Sequence, residues 1–108
     1  MTELDIAWLA GLLEGEGCFR INTRKRDNGT INYYPQLILK MTDEDIIKRA
    51  GELMQASYAI PKKQEPHHRQ AYRIQIYSKS NCKRIMEAIL PYMGERRSLK
   101  IKEVLEIC

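Results

Sequence analysis

The sequence predicts an α+β fold in which helices cover one face of a four-stranded antiparallel sheet and leave the other face open. Three observations predict it. Apolar periodicity switches along the chain in the order helix, strand, strand, helix, strand, strand, helix, helix. The strand-like stretches come in adjacent pairs, the first joined through Asn28-Gly29, the strongest short hairpin signal. Positive charge gathers where the strands are: residues 18–40 hold five Lys/Arg against one acid and residues 57–84 hold seven against one, while residues 1–17 hold four acids and no base. A basic sheet surface of this kind suits phosphate.

Taken in order, Thr2 caps the first helix, with Asp5 three positions on in the capping-box role, and the apolar run Ile6 to Leu13 follows until Gly17 stops it. That helix places Ala7, Gly11 and Gly15 four residues apart on one stripe, which lets another backbone approach closely. Two interior glycines cost roughly 1 kcal/mol each against alanine, so the stripe calls for a compensating contact. Two carboxylates, Glu14 and Glu16, stand where the helix dipole disfavours them. Breaches of local rules tend to mark functional sites, and a carboxylate at a close-packed helix end suits a hard divalent cation.

From Cys18 the period becomes two, with Phe19, Ile21 and Thr23 facing the core and Arg20, Asn22 and Arg24 facing outward. The next strand runs from about Ile31 to Met41, with Leu37, Leu39 and Met41 inward and Gln36, Ile38 and Lys40 outward, and Pro35 marks a break or an edge in it. Thr42 reads as the N-cap of a second helix whose first turn holds Asp43, Glu44 and Asp45, with Ile46, Ile47, Ala50, Leu53 and Met54 as its apolar stripe. A less regular hairpin follows: a short arm near residues 57–64, then 70–78 with Tyr72, Ile74 and Ile76 inward and Arg73, Gln75 and Tyr77 outward. The loop Pro66-His67-His68-Arg69 lacks metal-ligand spacing and is read as a phosphate contact or nothing. Asn81 reads as the cap of a third helix, Cys82 to Leu90, which Pro91 and Gly94 interrupt, and Glu95 to Ile107 reads as the last, with Leu99, Ile101, Val104 and Leu105 apolar.

At 108 residues the chain makes one domain, 1–108, with a single core. No apolar run reaches membrane-spanning length and no export leader is visible, so no membrane partner and an intracellular location are expected. The three cysteines, Cys18, Cys82 and Cys108, are odd in number and far apart, which suggests reduced thiols.

Leu9 to Gly17, LAGLLEGEG, resembles the signature nonapeptide of the LAGLIDADG homing endonucleases, with Leu13, Glu14, Gly15 and Glu16 in place of isoleucine, aspartate, alanine and aspartate. The resemblance implies an αββαββα core whose sheet is a DNA-binding saddle, followed by a C-terminal helix. A single motif implies a homodimer, which agrees with a stripe of Ala7, Gly11 and Gly15 that has no second copy in the chain. It further implies Mg2+ or another divalent cation on Glu16, the last acid of the motif, with Glu14 as a helix-end residue. Asp43 falls where the family often orders the attacking water, and Arg96, with Arg97 as alternate, where it places a basic residue beyond a proline. The implied partner is double-stranded DNA with a long, nearly palindromic site. By strand parity Arg20, Asn22, Arg24, Gln36, Ile38, Lys40, Arg73, Gln75 and Tyr77 read bases, while Lys25, Lys62, Lys63 and Arg69, near turns, meet phosphates. Alternatives are an RNA-binding intron maturase and a non-cleaving DNA-binding protein of the same fold. The host compartment is a bacterial or archaeal cytoplasm or an organelle.

Overall fold

A computed structural model describes residues 1–60 and 69–108. Helix α1 is Glu3–Glu16 and runs directly into strand β1, Gly17–Lys25. The capping box is present, Asp5 N–H donating to Thr2 Oγ1 at 3.1 Å and Thr2 N–H to Asp5 Oδ2 at 3.1 Å. Gly17 caps α1 in an extended conformation, so its need is for space: a Cβ there would lie 2.7 Å from the Leu13 carbonyl oxygen. β1 turns through Asn28-Gly29, with Gly29 at φ 86° and Arg26 N–H bonded to the Thr30 carbonyl, into β2, Ile31–Met41. Pro35 does not break β2. β4, Tyr72–Ile76, begins pairing with β2 only at Leu37, so at Pro35 β2 has one neighbouring strand, a place where a sheet tolerates a missing N–H donor.

Helix α2 is Glu44–Met54, β3 is the short Tyr58–Ala59, and the sheet order is β1-β2-β4-β3, antiparallel throughout. The cap of α2 is Asp43 rather than Thr42. α2 ends in a left-handed Gln55, φ 52°, with Ala56 N–H bonded to the Gly51 carbonyl, the geometry of a Schellman close. Helix α3 is Lys79–Ile89, and its cap is Ser78, whose hydroxyl accepts from Asn81 N–H, not Asn81. Asn81 is drawn elsewhere: its amide donates to the Met54 carbonyl at 2.9 Å, while Arg84 donates to the Leu53 carbonyl at 3.3 Å, so together they satisfy the end of α2. A 3-10 turn, Leu90–Tyr92, leads to α4, Glu95–Leu105.

The inward parity of each strand meets the helices in one core. Phe19, Leu37, Leu39, Ile74 and Ile76 pack with Leu9, Leu13, Ile47, Met54, Ile85, Met86, Ile89, Ile101 and Val104. Leu99 is 63% exposed and does not join them. It precedes Ile101 by two residues, about 200° around the helix, and so faces the opposite way. Among the described residues no helix is long and apolar enough to cross a membrane. The short arm expected at 57–64 lies partly, and Lys62, Lys63, Pro66, His67 and His68 wholly, outside the described residues.

Candidate active site and nucleic-acid interface

The end of α1 is held by α4. Arg97 Nε donates to the Glu14 carbonyl at 3.1 Å and its Nη1 to the Gly17 carbonyl at 2.6 Å, which brackets Glu16 on both sides. The same guanidinium lies 5.9 Å from the Phe19 ring centre. α1 has no basic residue in its last turn, so Arg97 supplies from elsewhere the positive charge that a helix C-terminus favours. Its guanidinium is committed to backbone carbonyls, while Arg96, one residue earlier, is exposed and forms no ion pair among the described residues.

Glu16 is exposed at the last position of α1, while the Glu14 carboxylate turns inward to accept from Gly94 N–H at 3.1 Å. Gly17 pairs with Leu39, so Glu16 sits beside the Lys40 end of β2, and Asp43 lies two residues beyond Met41, where that strand ends. Asp43 is exposed and makes no side-chain capping bond. The structure therefore brings Glu16, Asp43 and Arg96 to one end of the sheet, on the ends of three elements, with no hydrogen bond between their side chains. Next to Asp43, Glu44 accepts from the Tyr58 hydroxyl at 3.2 Å. Burial, then this bond, raises the Tyr58 pKa, and the neighbouring Glu44 carboxylate, then burial, raises that of Tyr72.

Among the described residues of one chain, no group of three His, Cys, Asp or Glu side chains is placed to hold a metal. The exposed Glu16 carboxylate offers the oxygen chemistry that a hard cation takes. The small-residue stripe of α1 is open. Ala7, Gly11 and Gly15 are exposed, and a Cβ built on either glycine meets nothing within 4 Å. Leu4, 82% exposed, extends the same surface toward the start of α1.

The open sheet face carries the residues that strand parity assigns to it. Arg20 faces Gln36, Asn22 faces Tyr34, Arg24 faces Asn32, Ile38 faces Gln75 and Lys40 faces Arg73. Two are buried despite outward parity, Gln36 at 6% and Ile38 at 8% exposure, and Asn22 and Arg73 are half-buried. Gln36 accepts from Asn22 Nδ2 at 2.7 Å and donates to the Tyr77 hydroxyl at 3.0 Å. The Gln75 amide, oriented by its surroundings, takes Arg73 Nε and Nη2 on its oxygen at 3.0 and 2.9 Å and donates to the Tyr77 hydroxyl at 3.2 Å. Asn22, Gln36, Tyr77, Gln75 and Arg73 thus form one chain of polar contacts across three strands. Lys25 and Arg69 lie exposed at strand margins.

Sequence reasoning missed Asn32, Tyr34 and Arg26 on this face. With its amide oriented by the same logic, the Asn32 oxygen accepts from Arg26 Nε and Nη2 at 2.6 and 2.9 Å and from the Tyr34 hydroxyl at 3.1 Å. Arg24, Lys25, Arg26, Asp27 and Tyr34 line a shallow basic depression at the hairpin tip. The signal was available: Asn32 and Tyr34 share the parity of Gln36, and only the expected break at Pro35 hid it.

Fold and site define an α+β domain with one polar, basic sheet face left open and an acid-bearing helix end at its margin. The chain belongs to the LAGLIDADG endonuclease family, whose profile matches residues 9–108. No curated protein sequence matches it. Solved structures share the fold. The homing endonuclease I-CvuI, in complex with an I-CreI target and with its DNA not cleaved, superposes with a TM-score of 0.74 at 18% identity, over 96% of this chain and 65% of that one. The archaeal intron-encoded I-Vdi141I, complexed with DNA, gives 0.72 at 13% identity over 96% and 68%. The group I intron-encoded I-CeuI, complexed with DNA, gives 0.71 at 16% identity over 98% and 56%. This chain therefore spans less than two thirds of the I-CvuI and I-CeuI chains.

Proposed function

We propose that the chain is one subunit of a homodimeric, Mg2+-dependent homing endonuclease that hydrolyses double-stranded DNA at a long, nearly palindromic site inside the cell. The observation that carries this reading is Glu16, an exposed carboxylate with no partner among the described residues, at the end of a helix whose small-residue stripe is left empty by its own subunit. Two copies joined along Ala7, Gly11 and Gly15 bring two Glu16 side chains together, and carboxylates so placed repel unless cations share them. Each Glu16 would hold a divalent cation, which when bound polarises phosphate and lowers the pKa of a water ligand. Asp43 orients the attacking water through its free carboxylate. Arg96 stabilises charge on the phosphate as the bond breaks, and as an arginine it does so without carrying a proton.

The open face reads the sequence. β2 has eleven residues, and at ~3.3 Å per residue it follows on the order of ten base pairs, a half-site for each subunit. Arg20, Arg24, Lys40 and Gln75 are the base-reading candidates, Lys25, Arg26 and Arg69 the phosphate contacts, and Lys62 and Lys63 join them on charge alone. Glu16→Gln tests the site: cleavage should vanish while duplex affinity stays near wild type, because the ligand charge goes and the volume hardly changes. Full cleavage by that variant would remove Glu16 from the mechanism, and wild-type binding without cleavage would mark the chain as a non-cleaving member.

A further inference from the structure

The geometry points to Glu14 as a positioning residue: its carboxylate caps α4 from across the fold and, with Arg97, fixes Arg96 beside Glu16. α4 starts on Gly94, which has no side chain to bond the first-turn N–H groups, and it makes no side-chain cap. The cap comes from 80 residues away, where Glu14 Oε1 accepts from Gly94 N–H at 3.1 Å. A side chain at 94 would crowd this contact, since a Cβ there would lie 2.5 Å from the same oxygen.

Among the described residues the other oxygen of Glu14 is buried without a hydrogen-bond partner. A carboxylate oxygen left dry is costly, and the positive end of the α4 dipole, which the carboxylate meets through its first oxygen, offsets part of that cost. Arg97 returns the favour from α4 to α1 through its bonds to the Glu14 and Gly17 carbonyls. The two helices thus exchange charges, an acid to the start of one and a base to the end of the other: α1 has no base in its last turn, and α4, although Glu95 lies in its first turn, has no side-chain cap of its own. Glu16 lies between the two carbonyls Arg97 holds, and Arg96 lies between Gly94 and Arg97. With one oxygen engaged and the other buried, Glu14 is not placed to ligate a metal shared between subunits. What Arg96 and Glu16 do rests on the function proposed above, but the cap does not.

The test uses the full chain with Gly94→Ala, Glu14→Ala and Glu14→Gln. Gly94→Ala is the mildest probe, because the atom it displaces is the tip of a flexible side chain. Amide exchange at Gly94 and Ser98 should quicken by ~10-fold or more in Gly94→Ala and Glu14→Ala, with Ile101 deeper in α4 unchanged. Single-turnover cleavage in Mg2+ should fall by ~10- to 100-fold, while duplex affinity in Ca2+ stays within ~3-fold. Arg96→Ala should add little in the Glu14→Ala background, and Glu14→Gln, which keeps an oxygen for Gly94 N–H, should recover most of the rate. Unchanged exchange at Gly94 would overturn the cap. Faster exchange with an unchanged cleavage rate and an undiminished Arg96 effect would overturn the positioning. A wild-type protein that neither binds nor cuts duplex DNA would overturn the endonuclease reading instead, and the exchange at Gly94 and Ser98 would still decide whether Glu14 holds α4.

Discussion

Replacing Gly11 with leucine should dissociate the dimer proposed along this stripe and at the same time make each subunit more stable. Within one subunit a Cβ at 11 meets nothing within 4 Å, so the larger side chain has nothing to strike. Removing an interior glycine from a helix gains ~1 kcal/mol, which for a domain of this size raises Tm by ~4–8 °C. Across a two-fold interface the substitution occurs twice, and overpacking of a close helix contact costs ~1–3 kcal/mol per site. The sum, ~2–6 kcal/mol, raises the dimer Kd by ~30-fold to ~20,000-fold. Sedimentation over a concentration series gives Kd, and thermal unfolding at dilutions where both proteins are monomeric gives the subunit term free of mass action. A dimer constant within ~3-fold of wild type would show that the stripe is not the interface. A destabilised monomer would show that Gly11 packs within its own subunit.

Arg24→Ala should relax base preference at particular positions, by ~1–3 kcal/mol for each lost pairing, whereas Lys25→Ala should weaken all duplexes alike and lower the salt slope by ~1 per subunit. Binding profiles over base substitutions at two salt concentrations separate the two, and an exchange of these phenotypes would refute the assignment of the face. Gln55→Gly should stabilise the fold by ~1 kcal/mol, since the left-handed close of α2 strains any side chain, and an unchanged urea midpoint would contradict this. Burial pushes the Cys82 thiol up from 9.0 to about 11, and Cys108, Tyr58 and Tyr72 also shift upward. All four hold their protons more tightly folded than unfolded, so the stability they confer is complete below about pH 9 and is lost as pH rises from there through about 11. Equal unfolding midpoints at about pH 8 and about pH 10.5 would refute it.

Strand parity was legible because a period of two leaves little choice once one face must be buried, and Phe19, Leu37, Leu39, Ile74 and Ile76 all lie where alternation puts them. Caps were less so. Thr42 and Asp43, or Ser78 and Asn81, are equally competent by residue type, and the choice fell to contacts with distant elements, as when the Met54 carbonyl claims the Asn81 amide. Leu99 was grouped with Ile101, Val104 and Leu105 as apolar, and its phase relative to Ile101 is what keeps it out of the core. In the candidate site, Glu16 and the stripe were readable because the motif carries them. The roles of Glu14 and Arg97 were not, because each acts on a residue 80 or more positions away. Gln36 shows the remaining limit: parity gives the direction of a side chain, not what its neighbours on adjoining strands do to cover it.

Lys40 and Arg73 stand directly opposite each other across β2 and β4. Like charges in register work against the pairing of their strands, so the free sheet carries a repulsion that any bound polyanion removes. Melting temperature then becomes a gauge of occupancy, rising with added anions of every kind as well as with duplex DNA. A thermal shift on adding a given duplex therefore reports that this seam has been neutralised, and only its margin over a scrambled duplex of equal length reports that a sequence has been recognised.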